Sequence, residues 1–150
     1  MEILGIYIPR VNPMAIALGS VFQHITAYVL YGPVYGSFWW RAMCADKGNG
    51  NWLDGERKVQ KRALYTGGLY VMAIAQVAGF IGLLLNLTDA QTFSHATQLG
   101  LFLYFGILLP SIAEEYIMEQ RSTVLIGLKA LRGFIKTVGV SLIMFSWGTR

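Results

Sequence analysis

The chain has 150 residues, enough for one domain, of which 55% are hydrophobic and only 13% are charged. Together with a mean hydropathy of +0.49, this composition excludes an ordinary soluble domain and indicates an integral membrane protein. The net charge is +4 and the only cysteine is Cys44, so an internal disulfide and a thiolate metal cluster are excluded. We expect the lipid bilayer as a partner, with no metal, no cofactor and no nucleic acid.

Three long stretches without Asp, Glu, Lys or Arg predict membrane-spanning helices. These stretches are residues 11–40, 63–88 and 90–113. Each is longer than the roughly 20 residues that a helix needs to cross the hydrocarbon core. The predicted elements are helices at about residues 13–35, 63–87 and 95–119, with a basic loop at residues 36–62.

A fourth helix is predicted at about residues 123–147, but its first half is not apolar. Lys129, Arg132 and Lys136 share one face at spacings of three and four. Lys136 can reach along the helix to the interface and leave a short or tilted span, which we prefer. The alternative is an amphipathic helix lying in the interface. The sequence thus predicts an all-α fold: an integral membrane four-helix bundle, mostly antiparallel, with residues 1–150 as a single transmembrane domain.

The distribution of Lys and Arg predicts the orientation of this bundle. Arg10 and Arg150 lie towards the two ends of the chain, and no cation lies in the turn around Asp89. The other ten of the twelve lie in the two remaining connections and the adjoining helix ends. By the positive-inside rule, both termini face the outer side of the membrane. The protein is expected to be integral and multi-pass, in an organelle that the sequence does not identify.

A basic collar stands at the start of the second predicted span. Its members are Arg57, Lys58, Lys61 and Arg62. Such a cluster can hold anionic lipid head groups. The plainer interpretation, a topology signal on a solvated face, is the one we prefer.

Polar residues recur at helical spacing on the predicted spans, as they do where lipid lies outside. On the first span this stripe consists of Ser20, His24, Tyr28, Tyr31 and Tyr35. Depth counted from the helix ends places His24 level with Gln76 and Tyr104 near mid-membrane. A histidine there can bind a ligand head group or move a proton. The alternative that we prefer is a histidine that is hydrogen-bonded between helices.

Two adjacent carboxylates, Glu114 and Glu115, lie near the end of the third predicted span. A tight turn near Ser122 folds this helix onto the fourth, which brings Glu115 level with Lys129 or Arg132 as a structural ion pair. The alternative makes Glu114 or Glu115 a general acid beneath a lipophilic pocket. The residues that would wall this pocket are Tyr31, Tyr35 and Trp39.

The end of the first span carries the most specific motif of the chain, Tyr31-Gly32-Pro33-Val34-Tyr35-Gly36-Ser37-Phe38-Trp39. With Val11-Asn12, Glu119-Gln120-Arg121-Ser122 and Trp147, it resembles the family of membrane proteins of unknown function numbered 1761, over about residues 11–147. Leu30 stands where that family usually has an aromatic residue. The resemblance implies a small four-helix membrane protein with no accepted activity, so no catalytic residue is carried over from it.

Two classes of function fit these features. We rank first an accessory or structural subunit that packs against other membrane proteins or a second copy, because the chain is small and has no soluble domain or nucleotide motif. The second is a small membrane enzyme or binder for a lipophilic molecule, such as a quinone, sterol, polyketide or terpenoid, that uses His24 or the Glu114/Glu115 pair. A proton-coupled transporter ranks third, because no acid lies in mid-membrane. The sequence leaves open whether the protein is an enzyme.

Overall fold

The computed structural model describes residues 2–3, 6–7, 11–48, 59–76 and 81–148. Near the N-terminus, strands β1 (Glu2–Ile3) and β2 (Ile6–Tyr7) pair antiparallel, with Glu2 opposite Tyr7. Every other regular element of these residues is helical. The predicted all-α class is therefore confirmed for the body of the described chain.

The first helical stretch contains a bend that the sequence explains. Helix α1 (Pro13–Val29) begins where Asn12 Oδ1 accepts a hydrogen bond from the Met14 N–H at 2.9 Å. Pro33 then interrupts the regular pattern, because it lacks an N–H and its ring collides with the carbonyl four residues earlier. The helix widens into a π turn, Leu30–Val34, in which the Tyr35 N–H bonds to the Leu30 carbonyl at 2.9 Å.

Residues 36–47 correct the prediction of a loop at 36–62. They form helix α2 (Gly36–Lys47), which continues beyond the π turn. The helix ends at Gly48, whose φ of 64° is a left-handed conformation that favours glycine. Residues 49–58 of the predicted loop lie outside the described residues.

The remaining helices follow in chain order. They are α3 (Val59–Ala75), α4 (Leu83–Leu87), α5 (Phe93–Leu103), α6 (Leu109–Met118) and α7 (Thr123–Gly148). A second π turn, Tyr104–Leu108, joins α5 to α6 without a break. Asp89 and Gln120 adopt positive φ angles of 47° and 50° in the turns before α5 and α7.

Within the described ranges, two continuous helices are long and apolar enough to cross a membrane. They are Pro13–Val34 and Phe93–Met118. Helix α7 has 26 residues, or about 39 Å at 1.5 Å per residue, which is also a spanning length. It differs from the other two because it contains three cations, Lys129, Arg132 and Lys136.

Helix α7 is the centre of the packing. It contacts α1, α2, α5 and α6, whereas α3 packs on α1. A close backbone approach joins α5 to α7, where a Cβ on Gly100 would lie 2.8 Å from the Val138 Cα. Nearby, the Ser141 hydroxyl donates to the Ala96 carbonyl at 2.6 Å. A small residue and a cross-helix hydrogen bond therefore hold α5 and α7 together, as is common for helices surrounded by lipid.

Contacts at the two ends show that α7 runs antiparallel to its neighbours. The Asn12 side-chain amide donates to the Trp147 carbonyl at 3.0 Å, which joins the start of α1 to the end of α7. At the opposite end, Arg121 Nη1 lies 3.3 Å from Asp46 Oδ2 and joins the start of α7 to the end of α2. The start of α1 and the end of α7 thus lie at the same end of the bundle.

The apolar core fills that same end. It is formed by Ala15, Ile81, Leu85, Ala96, Val140, Met144 and Phe145. Towards the start of α7 the side chains pack less closely and cavities lie beside the helix. The closely packed core and the cavities are therefore at different levels of the bundle.

The contact at Gly100 gives a test of this packing. We expect Gly100→Leu to lower the free energy of unfolding by about 1–3 kcal/mol, because its side chain would meet the backbone of α7 and force the helices apart. Gly127→Leu is the matched control, since a Cβ there has no neighbour within 4 Å. Thermal unfolding in detergent measures both, and equal behaviour of the two variants would contradict the assigned α5–α7 contact.

Candidate ligand cavity

The larger of two cavities lies beside the middle of α7 and has a volume of about 860 Å³. Apolar residues of α3 and of the continuous helix Phe93–Met118 form much of its wall, among them Leu69, Met72, Leu103 and Ile107. Such a volume is within the ~300–1,000 Å³ typical of small-molecule sites. The cavity is therefore large enough for a lipophilic molecule.

A buried amide lines this cavity without a partner. Gln23 is only 4% exposed, and its Nε2 has no hydrogen-bond partner among the described residues. A buried donor that gives up water without gaining another partner costs about 1–3 kcal/mol. Such a group in a native structure calls for an explanation, and a bound molecule supplies one.

His24 occupies the same cavity and is held on two sides. Its Nδ1 lies 2.8 Å from the Ser20 carbonyl oxygen, so this nitrogen carries the hydrogen and donates it. The ring stacks on Tyr70 of α3 with a centroid distance of 3.8 Å and an interplanar angle of 5°. These contacts fix the ring and leave Nε2 for a ligand.

Two cations of α7, Arg132 and Lys136, line the cavity one helical turn apart. The Arg132 guanidinium carbon lies 5.4 Å from the centroid of the Tyr31 ring, within the range of a cation–π contact. Arg132 Nε is buried and has no hydrogen-bond partner in the described part of the chain. No described carboxylate lines this cavity.

A smaller cavity of about 340 Å³ lies nearer the turn between α6 and α7. Its lining includes Tyr31, Trp39, Glu115 and Lys129, and Arg132 lines both cavities. Glu115 Oε1 and Lys129 Nζ form an ion pair whose side chains are 28% and 44% exposed. This pair joins α6 to α7 at the mouth of the smaller cavity.

A second ion-pair group joins α2 to the same turn. Arg121 Nε donates to Glu119 Oε2 at 2.7 Å, while its Nη1 lies 3.3 Å from Asp46 Oδ2. The hydrogen bond to Glu119, with the charges of Glu119 and Asp46, raises the pKa of the Arg121 guanidinium. Arg121 therefore stays charged and links the two helix ends at every working pH.

The structure separates residues that the sequence analysis grouped together. His24 and Gln76 line the larger cavity, but Tyr104 packs against Phe105 and Phe134 and is not part of that lining. Tyr31 and Trp39 line the smaller cavity, with their rings 5.6 Å apart, and Tyr35 lines neither.

Two further positions differ from the sequence expectation. Glu114 is exposed and lies outside both linings. Tyr28, placed on the inward stripe, is 76% exposed, because the buried face of α1 follows Ser20, Gln23 and Thr26 instead. An aromatic ring with one polar tip is well tolerated on a lipid-facing surface, so Tyr28 does not need an inward position.

Gln23 and Lys136 are the site residues that sequence reasoning missed. Gln23 follows Ser20 by three residues, so a stripe drawn with steps of three would have included it. Lys136 was interpreted as a side chain that reaches the interface. Of the basic collar, Arg57 and Lys58 lie outside the described residues, and the side chains of Lys61 and Arg62 are not described either.

The composition and the apolar spanning-length helices define a helical membrane protein. The family model described as "Protein of unknown function (DUF1761)" matches residues 14–145, and the chain belongs to this family. The resemblance stated from the sequence is therefore confirmed.

One similar protein comes from Schizosaccharomyces pombe (strain 972 / ATCC 24843) and is described as "UPF0591 membrane protein C15E1.02c". It is 29% identical over 144 residues, which cover 96% of this chain and 95% of the yeast protein. No solved structure matches the chain significantly.

The solvent exposure of the Glu115–Lys129 ion pair determines how much the pair is expected to contribute to the free energy of unfolding. We expect Glu115→Ala to destabilise the protein by about 1 kcal/mol or less, because half-exposed pairs are worth little. Exchanging the charges, Glu115→Lys with Lys129→Glu, should restore part of the loss. Glu114→Ala is the control, because Glu114 is exposed and adjacent.

Thermal unfolding in detergent measures these changes. The structural role of Glu115 remains a prediction. It would be wrong if Glu115→Gln kept the unfolding temperature but abolished binding or turnover of a lipophilic molecule.

Proposed function

We propose that this protein is a multi-pass, four-helix membrane protein that binds a lipophilic small molecule in the larger cavity. The observation that carries this proposal is the combination of an 860 Å³ apolar-walled space with a 96% buried amide, Gln23, whose donor has no partner among described residues. A mostly apolar cavity with a few convergent polar groups is typical of a ligand site. We therefore favour binding of a lipophilic molecule over the accessory-subunit role.

The position of the cavity indicates why the ligand is lipophilic. Two of the helices that line it, Pro13–Val34 and Phe93–Met118, have membrane-spanning composition, so a molecule in it would lie at the depth of the hydrocarbon. His24, fixed by Ser20 and Tyr70, would direct Nε2 towards a polar group of a quinone, sterol, polyketide or terpenoid. Glu115 lies at the other cavity in an ion pair, which supports binding rather than catalysis by this carboxylate.

The accessory-subunit role remains a second candidate because of the surface of α3. This helix packs on α1 and leaves exposed several side chains that do not line the cavity, including Leu64, Val71 and Ile74. At Gly67 and Gly68 an added Cβ would have no neighbour, so another helix can approach closely there. These features suit contact with a further membrane helix as well as with lipid.

Native mass spectrometry after gentle purification distinguishes the ligand-binding function from the accessory-subunit role. We expect wild-type protein in mild detergent to show a lipophilic molecule at about one per chain in native mass spectrometry. Ala73→Phe should remove it, because Ala73 is buried and lines the cavity. Ala17→Phe, on the exposed face of α1, should retain it.

Two results would contradict the binding proposal. One is a chain without any small molecule in both wild type and the Ala17→Phe control. The other is stoichiometric foreign subunits with an empty cavity, which would favour the accessory role.

The orientation is proposed from charge and from the shared bundle ends. We propose that both termini and the Asp89 turn face the outer side, and that Lys47 and Gln120 face the inner side. In a Cys44→Ser background, a membrane-impermeant thiol reagent added outside should label Asp89→Cys and leave Lys47→Cys and Gln120→Cys unlabelled in sealed vesicles. Labelling of positions 47 and 89 from the same side would overturn the topology.

A further inference from the structure

We propose that the occupant of the larger cavity is an acidic amphiphile, whose carboxylate or phosphate head group binds Arg132 and Lys136 and accepts a hydrogen bond from Gln23. This inference rests on the proposed binding function and names the chemical class of its ligand. It starts from the charges of the described residues, which leave two cations beside this cavity without a counter-charge.

The described carboxylates near α7 either form ion pairs or hydrogen bonds with other residues or are exposed. Glu115 pairs with Lys129, and Glu119 and Asp46 both pair with Arg121. Glu114 is exposed, and Asp89 accepts a hydrogen bond from Gln91 in the turn before α5. None of these described acids is left for the two cavity cations.

Arg132 is the stronger of the two anchors. Its guanidinium lies over the Tyr31 ring, which positions the group, and its Nε has no partner among the described residues. A guanidinium presents donors in a fixed fork that matches carboxylate and phosphate oxygens. Arg132 therefore offers an unused donor of the geometry that an oxyanion requires.

Lys136 adds a second positive charge one turn along the same helix. Neither Lys136 nor Arg132 lies within ion-pair distance of a carboxylate in the described ranges. Unpaired charges away from water are costly, and two like charges on one face add repulsion. An anion between them would offset both costs, which a neutral quinone or sterol cannot do.

Gln23 supplies the third contact from a second helix. It lines the cavity from α1 and its buried Nε2 has no partner among the described residues, while the two cations come from α7. An anionic oxygen would satisfy this donor as well as the cations, whereas a cationic ligand would satisfy none of the three groups. The apolar walls formed by α3 and the helix Phe93–Met118 then receive the hydrocarbon part.

The test compares two probes with the same tail. Equilibrium binding of tritiated oleate and of tritiated oleyl alcohol is measured at pH 7.5 in neutral detergent, with the full-length protein. Oleate should bind at least about tenfold more tightly than oleyl alcohol, because only the carboxylate gains the charged contacts. Arg132→Gln and Lys136→Gln should each weaken oleate binding by about tenfold and leave oleyl alcohol binding within about twofold.

Matched controls separate lost charge from lost fold. Retained oleyl alcohol binding reports that each variant still forms the cavity, and Arg132→Lys should recover part of the oleate affinity. Lys47→Gln removes an exposed cation at the end of α2 and should change neither probe. Competition with added lipid then identifies the source of the acidic head group. If dioleoyl phosphatidylglycerol displaces oleate and dioleoyl phosphatidylcholine does not, the ligand is an anionic bilayer lipid. If neither lipid displaces oleate, the ligand is a free acid.

The outcomes distinguish this inference from the proposed function. Equal affinity for both probes, unaffected by the Arg132 and Lys136 variants but abolished by Ala73→Phe, would overturn the acidic head group and keep the lipophilic site. Absence of binding of either probe would overturn both.

Discussion

Helix α7 carries Arg132 and Lys136 beside a cavity with largely apolar walls, and the placement of these two charges constrains the rest of the structure. A charge away from water needs a partner or a polar cavity. Lys129 meets this need with Glu115, and Arg121 meets it with Glu119 and Asp46. Arg132 and Lys136 instead line the larger cavity and have no carboxylate partner among the described residues, which is why we propose a binding site there.

The length of α7 is accordingly divided into three zones. Residues 140–148 pack closely against α1 and α5, with Val140 and Met144 fully buried. Arg132, Lys136 and Thr137 line the larger cavity. Leu125, Ile126, Lys129 and Arg132 line the smaller one beside the ion pairs. Arg132 is therefore common to both linings.

Much of the fold was predictable because hydropathy is a strong signal in a membrane protein. The all-α class and the family followed from uncharged stretches and from the motif around Pro33. Helix α2 did not, because its charged and aromatic residues carry no apolar periodicity, and only Gly48 marks where the helix ends. The site was harder to predict. Spacing placed His24 and Gln76 together, but the stripe drawn from Ser20 in a step of four to His24 left out Gln23. A single sequence also cannot show that Arg132 and Lys136 lack partners once the helices pack.

The central claim is that α7 spans the membrane with Arg132 and Lys136 turned into the bundle. The most direct measurement is the accessibility of single nitroxide labels at Leu131 and Lys136 in liposomes, to oxygen dissolved in lipid and to a water-soluble nickel chelate. Because Leu131 is 38% exposed and Lys136 lines the cavity, the account predicts strong oxygen access at 131, weak oxygen access at 136 and little nickel access at either. Strong nickel access at 136 with oxygen access at 131 would show an amphipathic helix lying in the interface and would contradict it.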